Sequence, residues 1–278
     1  MVRLIALDLD GTLLRADGHV GERTAAHLVA LHRQGVAVVI ATGRSWRTAL
    51  RIQRELGIAG PAVAHNGAYA FDSRSGAEWY ARRVPRQAAR TMLAWATAHD
   101  IMVRCYLGVG RPVLFNFFTE EHVARFRQPE DAVVGDLSRT LDTDPLELFV
   151  VGNREVDSFV DRFGRLGPGY ELVTFERNGR RELNICAPGV DKVEGVAAVA
   201  RRLSIPPSDI LAVGDGPNDV RLLRWSGLAV AVGGGHDQAA AVADYVTPPD
   251  SPEPVADALE WALSRPWAGA PPAAEGPA

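Results

Sequence analysis

Between residues 2 and 64 short apolar runs alternate with helix-period segments, and that alternation leaves few folds open. Val2 to Leu9 reads as a continuous apolar strand. Glu22 to Gln34 places Ala26, Leu28, Val29 and Leu31 near the spacing of a helix, which Gly35 stops. Val36 to Ala41 is a second, β-branched run, followed by Thr42-Gly43-Arg44 and a basic helix to about Leu56 that ends at Gly57. Ala62 to Ala64 gives a short third strand. Strand, helix, strand, helix, strand is the pattern of right-handed crossover units, so a Rossmann-like α/β core with a parallel sheet is expected. The pattern returns late, with a helix Val193 to Leu203, a strand Ile210 to Val213, a helix Asp219 to Trp225 and a strand Leu228 to Val232.

Between these two stretches the grammar changes. Strands are expected at Trp79 to Val84, Ile101 to Leu107, Pro112 to Phe118, Leu146 to Val151, Tyr170 to Arg177 and Arg180 to Ile185. Helices are expected at Arg86 to His99, from Glu120, and at Val156 to Leu166, with the polar run Gln128 to Pro145 as loop. Short turns such as Arg177-Asn178-Gly179-Arg180 suggest an antiparallel sheet with helices on one face, an α+β domain inserted into the first. The expected organisation is a core over residues 1–77, the insert over 78–188, the rest of the core over 189–266, and a Pro/Ala/Gly tail over 267–278 that should be disordered.

Composition narrows the function classes. A chain of 278 residues with 47% hydrophobic content can bury one large core or two modest ones. The net charge of −4 provides no general field for nucleic acid. No basic start, signal core or bilayer-length apolar stretch is seen, so a cytoplasmic protein with no membrane partner is expected. Cys105 and Cys186 lack metal-type spacing and read as two buried thiols. His99, His122 and His236 also lack ligand spacing and are expected to be exposed. No glycine-rich dinucleotide fingerprint follows the first strand.

In an open parallel sheet, ligands sit beyond the carboxyl ends of the strands. Four segments put polar residues at such ends: Asp8-Leu9-Asp10-Gly11-Thr12, Thr42-Gly43-Arg44, Asn66-Gly67, and Gly214-Asp215-Gly216-Pro217-Asn218-Asp219. Asp8, Asp10, Asp215 and Asp219 would crowd one sheet edge, and like charges held together raise one another's proton affinity unless a cation neutralises them. Hard carboxylate oxygens without His or Cys suit Mg²⁺. Taken singly, an Asp-x-Asp or a Thr-Gly-Arg is an ordinary turn or helix cap. Their joint occurrence after short strands, in this order, marks a site.

Asp8 to Thr12, Thr42, Lys192 and the segment Asp215 to Asp219 resemble, in order, the four signature motifs of the haloacid dehalogenase superfamily. Leu13-Leu14, Thr-Gly-Arg, Asn66 to Ala68 and Gly214 to Asp219 look most like its Cof-type sugar-phosphatase subfamily, whose α/β cap is inserted between the second and third motifs. The resemblance covers about Leu4 to Leu263. It implies a Mg²⁺-dependent phosphatase of a small phosphorylated metabolite, with Asp8 as the nucleophile that becomes an aspartyl-phosphate and Asp10 as the acid and base. By the same resemblance Asp8, the Asp10 carbonyl, Asp215 and Asp219 would form the Mg²⁺ site, Asp219 directly or through water, and Asp219 would also orient Lys192 or the metal waters. Thr42, Gly43, Lys192 and Asn218 would hold the phosphoryl group; Arg44 would join them or pair on a helix surface.

Three other readings compete. A phosphosugar mutase would retain both early aspartates, a dehalogenase would lack the acid at Asp10, and a non-catalytic phosphate-binding module would have lost a carboxylate. This chain has lost none. Where many relatives carry an Asn, it has Gly233-Gly234-Gly235, which leaves a substrate contact from that loop open. Arg104, Arg111, Phe117 and Arg180 are candidate selectors in the cap. Of the thirty basic residues only Lys192 is a lysine, and it falls where the resemblance places the third motif. An amine-selective reagent is therefore expected to modify that side chain and the amino terminus alone.

Overall fold

The structure, a computed structural model, describes residues 1–265 apart from 16, 126, 130, 134 and 178. The expected tail at 267–278 and Asn178 of the expected turn lie outside the described residues. Contacts divide the chain into two compact units, Met1–Trp79 together with the chain from Asp191 onward, and Tyr80–Val190.

The first unit is built on an eight-stranded sheet in the order Tyr245–Val246, Leu228–Ala231, Ile210–Gly214, Leu4–Leu7, Ala37–Ala41, Pro61–Ala64, Tyr69–Asp72, Glu78–Ala81, its last strand crossing the boundary between units. The first six strands run parallel, and Tyr69–Asp72 returns antiparallel to Pro61–Ala64. Leu4 to Leu7 are all buried, as expected of a central strand covered on both faces. Leu28 and Leu31 bury one side of the helix Glu22–Arg33, and Gly57, in the left-handed region at φ 65°, ends the helix Trp46–Leu56. The register aligns Leu7 with Ile40 on one side and Val213 on the other, so the residues following these three strands emerge level at one sheet edge.

The second unit has a seven-stranded sheet in the order Leu166–Gly167, Tyr170–Arg177, Arg180–Cys186, Glu147–Val151, Arg104–Tyr106, Val113–Phe115, Asp131–Val133. It is antiparallel except for its last pair. Helices Arg86–Ala98 and Asn153–Phe163 supply Met92, Leu93, Val156 and Phe159 to its core. Trp95 meets Phe159 and Phe163 edge-on, at centroid distances of 5.1 and 5.3 Å. Cys105 and Cys186 are free and buried, as expected.

Three expectations need correction here. The polar run from Gln128 is not all loop: it holds the strand Asp131–Val133 and the short helix Leu137–Thr140, because Leu137 and Leu141 are core residues that a polarity count overlooks. The helix expected at Val156 to Leu166 spans Asn153–Phe163, stopped by Gly164 at φ 70°. His122 is buried, not exposed; its Nε2 lies 3.4 Å from Asp131 Oδ2 and its ring packs on Phe115 and Phe118. Among the described residues no helix is long and apolar enough to cross a membrane.

Candidate active site

The expected site residues lie in the first unit, and most of them gather at its level strand ends. Asp8 directly follows Leu4–Leu7, Thr42 follows Ala37–Ala41, and Asp215 follows Ile210–Gly214. Lys192 opens the helix Lys192–Leu203, whose preceding Asp191 caps it by accepting a hydrogen bond from the Val193 amide at 3.0 Å. The helix start is thus fixed, and the Lys192 side chain is directed inward, 1% exposed.

Lys192 Nζ donates to Asp8 Oδ1 at 2.5 Å and to Asp219 Oδ1 at 2.7 Å. The other oxygen of Asp219 accepts from the amides of Asp215 and Gly216 at 3.2 and 2.9 Å. Both oxygens of Asp219 are therefore engaged in holding the lysine and shaping the loop. Gly214 admits this carboxylate, since a Cβ there would lie 2.5 Å from Asp219 Cγ. Asp215 Oδ1 accepts from Thr12 Oγ1 at 2.7 Å.

One carboxylate oxygen each from Asp8, Asp215 and Asp219 lie within 4.8 Å of one another. Burial pushes the Asp8 carboxyl up to about 7; Lys192 opposes the shift, while the charges of Asp219 and Asp215 add to it. Burial also raises Asp215. For Lys192 burial alone would lower the pKa, but the flanking Asp8 and Asp219 outweigh it and hold the ammonium above its ordinary range. One lysine among three close carboxylates leaves an excess of negative charge. Hard oxygen donors with excess charge fit a divalent cation such as Mg²⁺.

The Asp10 carboxylate stands outside this cluster. It accepts from Arg44 Nε at 2.8 Å and from the Arg44 Nη2 group, a two-point pair. Arg44 lies before the helix Trp46–Leu56 rather than on its surface, and its partner is the expected acid. The Arg44 amide in turn donates to Thr42 Oγ1 at 3.0 Å, and Thr42 is fully buried.

Sequence reasoning left the role of Asn66 open, and the structure shows a junction. Its amide donates to the Thr42 carbonyl at 3.1 Å, and its Oδ1 accepts from Asn218 Nδ2 at 3.3 Å. A Cβ on Gly43 would lie 2.7 Å from the same Oδ1, so glycine there makes room for the junction. Asn66 and Gly67 have φ of 53° and 98°, which suits Asn and Gly. The hydrogen bond from Thr12 to Asp215 and the space made by Gly214 were not anticipated; the hydroxyl and the glycine stood inside recognised motifs without a stated partner.

Gly67→Ala tests the junction. Its Cβ would fall 1.9 Å from the Asp191 carbonyl oxygen, beside Lys192, and backbone cannot yield as a side chain can. The variant is expected to unfold at lower denaturant by about 1–3 kcal/mol. Activity should fall further than Tm, since the strain sits against Lys192. Unchanged unfolding midpoints would refute the close packing.

Three close carboxylates around a buried lysine at the sheet edge of an α/β core point to a family, and comparison with known proteins agrees. Residues 5–259 match the model of the haloacid dehalogenase-like hydrolases, and the chain belongs to that family. It is 26% identical over 262 residues to the 5-amino-6-(5-phospho-D-ribitylamino)uracil phosphatase YitU of Bacillus subtilis, covering 92% of this chain and 96% of that one. It is also 26% identical to a chloroplastic endoribonuclease YBEY of Arabidopsis thaliana, where the match covers 92% of this chain but 45% of the relative's length. In fold it is similar to a haloacid dehalogenase-like hydrolase from Bacteroides thetaiotaomicron, with TM-score 0.77 and 21% identity over 94% of this chain and all of that one.

Proposed function

We propose that this hydrolase is a Mg²⁺-dependent phosphatase of a small phosphorylated metabolite, acting in the cytoplasm through an aspartyl-phosphate on Asp8. The observation that carries the reading is the buried triad Asp8–Lys192–Asp219 beside Asp215. A carboxylate is a weak nucleophile that needs positioning and charge neutralisation. Lys192 positions Asp8, and Asp219 positions Lys192. The ammonium also stands where it can meet negative charge spreading over a transferring phosphoryl group. Thr42, the Gly43 amide and Asn218 are the further phosphoryl contacts, with Asn66 bracing the last two.

Asp8, Asp215 and the Asp10 carbonyl would hold Mg²⁺, which when bound neutralises charge on the transferring group. Asp219, with both oxygens occupied, orients Lys192. Asp10 protonates the leaving oxygen and then takes the proton of the hydrolytic water. The insert over residues 78–188, with a core of its own that includes Phe159, is the cap of this hydrolase.

Release of inorganic phosphate from a panel of phosphate monoesters, with no isomeric product, tests the proposal. Excess chelator is expected to abolish release and Mg²⁺ to restore it, whereas Ca²⁺, with longer bonds and looser geometry, should bind without supporting turnover. Full activity in chelator, or no phosphate from any ester, would overturn the proposal.

A further inference from the structure

His65 carries a buried imidazole that the proposed chemistry does not use, and it sits in strained backbone. Its φ is 53°, as is that of Asn66, and Gly67 follows at 98°, so left-handed conformations stand in succession directly after the strand Pro61–Ala64. Outside glycine this region is uncommon, and His is among the few side chains enriched in it. Such strain persists only where the surroundings over-determine it. Here they do: His65 is 1% exposed, and both its amide and its ring engage the loop that follows Ala37–Ala41. The amide donates to the Arg44 carbonyl at 2.9 Å, and Nε2 accepts from the Trp46 amide at 3.4 Å. Trp46 opens the helix Trp46–Leu56, whose Ser45 cap makes no side-chain hydrogen bond, so an imidazole from the neighbouring loop supplies the acceptor that this serine does not.

We infer that His65 is a positioning residue for phosphoryl transfer, holding the Gly43 amide at the angle in which it meets the phosphoryl oxygens. The inference rests on the phosphatase reading, in which Thr42 and the Gly43 amide contact that group. A trans peptide is planar, with its N–H opposed to the carbonyl of the preceding residue, so whatever fixes one end aims the other. The Thr42 carbonyl accepts from the Asn66 amide at 3.1 Å and thereby aims the Gly43 N–H. The next peptide is tied by the Arg44 amide, which donates to Thr42 Oγ1 at 3.0 Å. Those that follow are held by His65, through the Arg44 carbonyl and the Trp46 N–H. Every peptide from Thr42 to Trp46 is thus braced, and Gly43, the residue with the most backbone freedom, lies inside the run. Donors aimed at developing charge are effective when they are fixed beforehand. Removing the ring acceptor frees the Trp46 end, and the movement passes back through Arg44 to Gly43.

Variants at position 65 separate the ring from the backbone, with 4-nitrophenyl phosphate as substrate, Mg²⁺ present, and each protein assayed well below its Tm. His65→Gln carries an acceptor oxygen as many bonds from Cβ as Nε2, whereas His65→Asn suits the left-handed conformation better but stops one bond short. His65→Gln is expected to keep kcat within about threefold of wild type and His65→Asn to lose about tenfold or more, with KM within about twofold in both. Rescue by the side chain less suited to the backbone is a result that a merely structural residue would not give, because there kcat would follow Tm. Equal kcat in the two variants, a greater loss in His65→Gln, or a loss confined to KM would overturn the positioning role alone. Should His65→Asn not fold, His65→Gly, which takes a φ of 53° without strain, replaces it under the same criteria. Should His65→Gln not fold, the kcat of His65→Asn decides by the tenfold loss. A wild type that releases no phosphate from 4-nitrophenyl phosphate or any other monoester would overturn the phosphatase reading and the positioning role with it.

Discussion

Asp8→Asn is expected to abolish phosphate release and phosphoenzyme formation, and at the same time to make the metal-free protein harder to melt at pH 8. The first effect follows from the loss of the attacking oxygen's charge, which no neighbour replaces. The second follows from the site's electrostatics. Burial holds the Asp8 carboxyl at about 7, against an ordinary 3.8, and Asp219 and Asp215 add to the shift. A group whose proton affinity rises on folding favours the folded state fully below its unfolded pKa and loses that contribution as pH rises through the folded value. Metal-free wild type should therefore lose stability between about pH 4 and 7 through this group, and Mg²⁺ should restore it by neutralising the charge. An amide at position 8 is neutral at every pH, so the variant escapes the loss. Thermal melts in chelator at pH 5 and pH 8, with and without Mg²⁺, decide the matter. Wild-type turnover in Asp8→Asn, or a lower Tm than wild type at pH 8 in chelator, would break the link between reactivity and stored repulsion. Asp10→Asn should behave differently, retaining phosphoenzyme formation on esters with good leaving groups, because such groups need little protonation.

The core was legible because its signals are local. A strand such as Leu4–Leu7 is apolar on both faces, and a helix such as Glu22–Arg33 follows at 3.6-residue spacing, so order and type could be read without knowing the partners. Asp8, Thr42 and Asp215 were legible for the same reason, each being the first polar residue after an apolar run. The insert was less so. Its element boundaries depend on contacts distant in sequence, such as Leu137 and Leu141 entering the core of the second unit from a stretch dominated by polar residues. His122 shows the same limit: burial beside Asp131, nine positions on, carries no local signature. At the site, what escaped was pairing. Arg44 could be placed at a strand end, yet its two-point contact with Asp10 depends on how two loops approach, 34 residues apart. The full engagement of Asp219 escaped likewise, since its second oxygen is held by the amides of Asp215 and Gly216, which leave no mark in the sequence.

Lys192→Arg is expected to lower turnover by about a hundredfold or more while the protein stays folded, the usual scale for removing one donor to transition-state charge. The chain tolerates arginine at every other basic position, so the exception asks for a physical cause, and the geometry supplies one. A single ammonium nitrogen reaches Asp8 at 2.5 Å and Asp219 at 2.7 Å within a space that leaves the side chain 1% exposed. A guanidinium carries its charge on a wider plane and seeks a fork-shaped partner. Here it would have to displace one carboxylate to contact the other, and displacing Asp219 would also release the Asp215 and Gly216 amides. The same burial corrects the expected labelling. With Nζ enclosed and its pKa held above the ordinary lysine range, this side chain should resist an amine-selective reagent in the folded protein, leaving the amino terminus as the site of reaction. Denaturation should expose it as a second site. The variant set Lys192→Arg and Lys192→Met separates charge from shape: if charge alone mattered, Lys192→Arg would keep most of the turnover and Lys192→Met little. Near-wild-type kcat in Lys192→Arg, or rapid labelling of Lys192 in the native protein, would show that the lysine does not hold Asp8 in the way its contacts indicate.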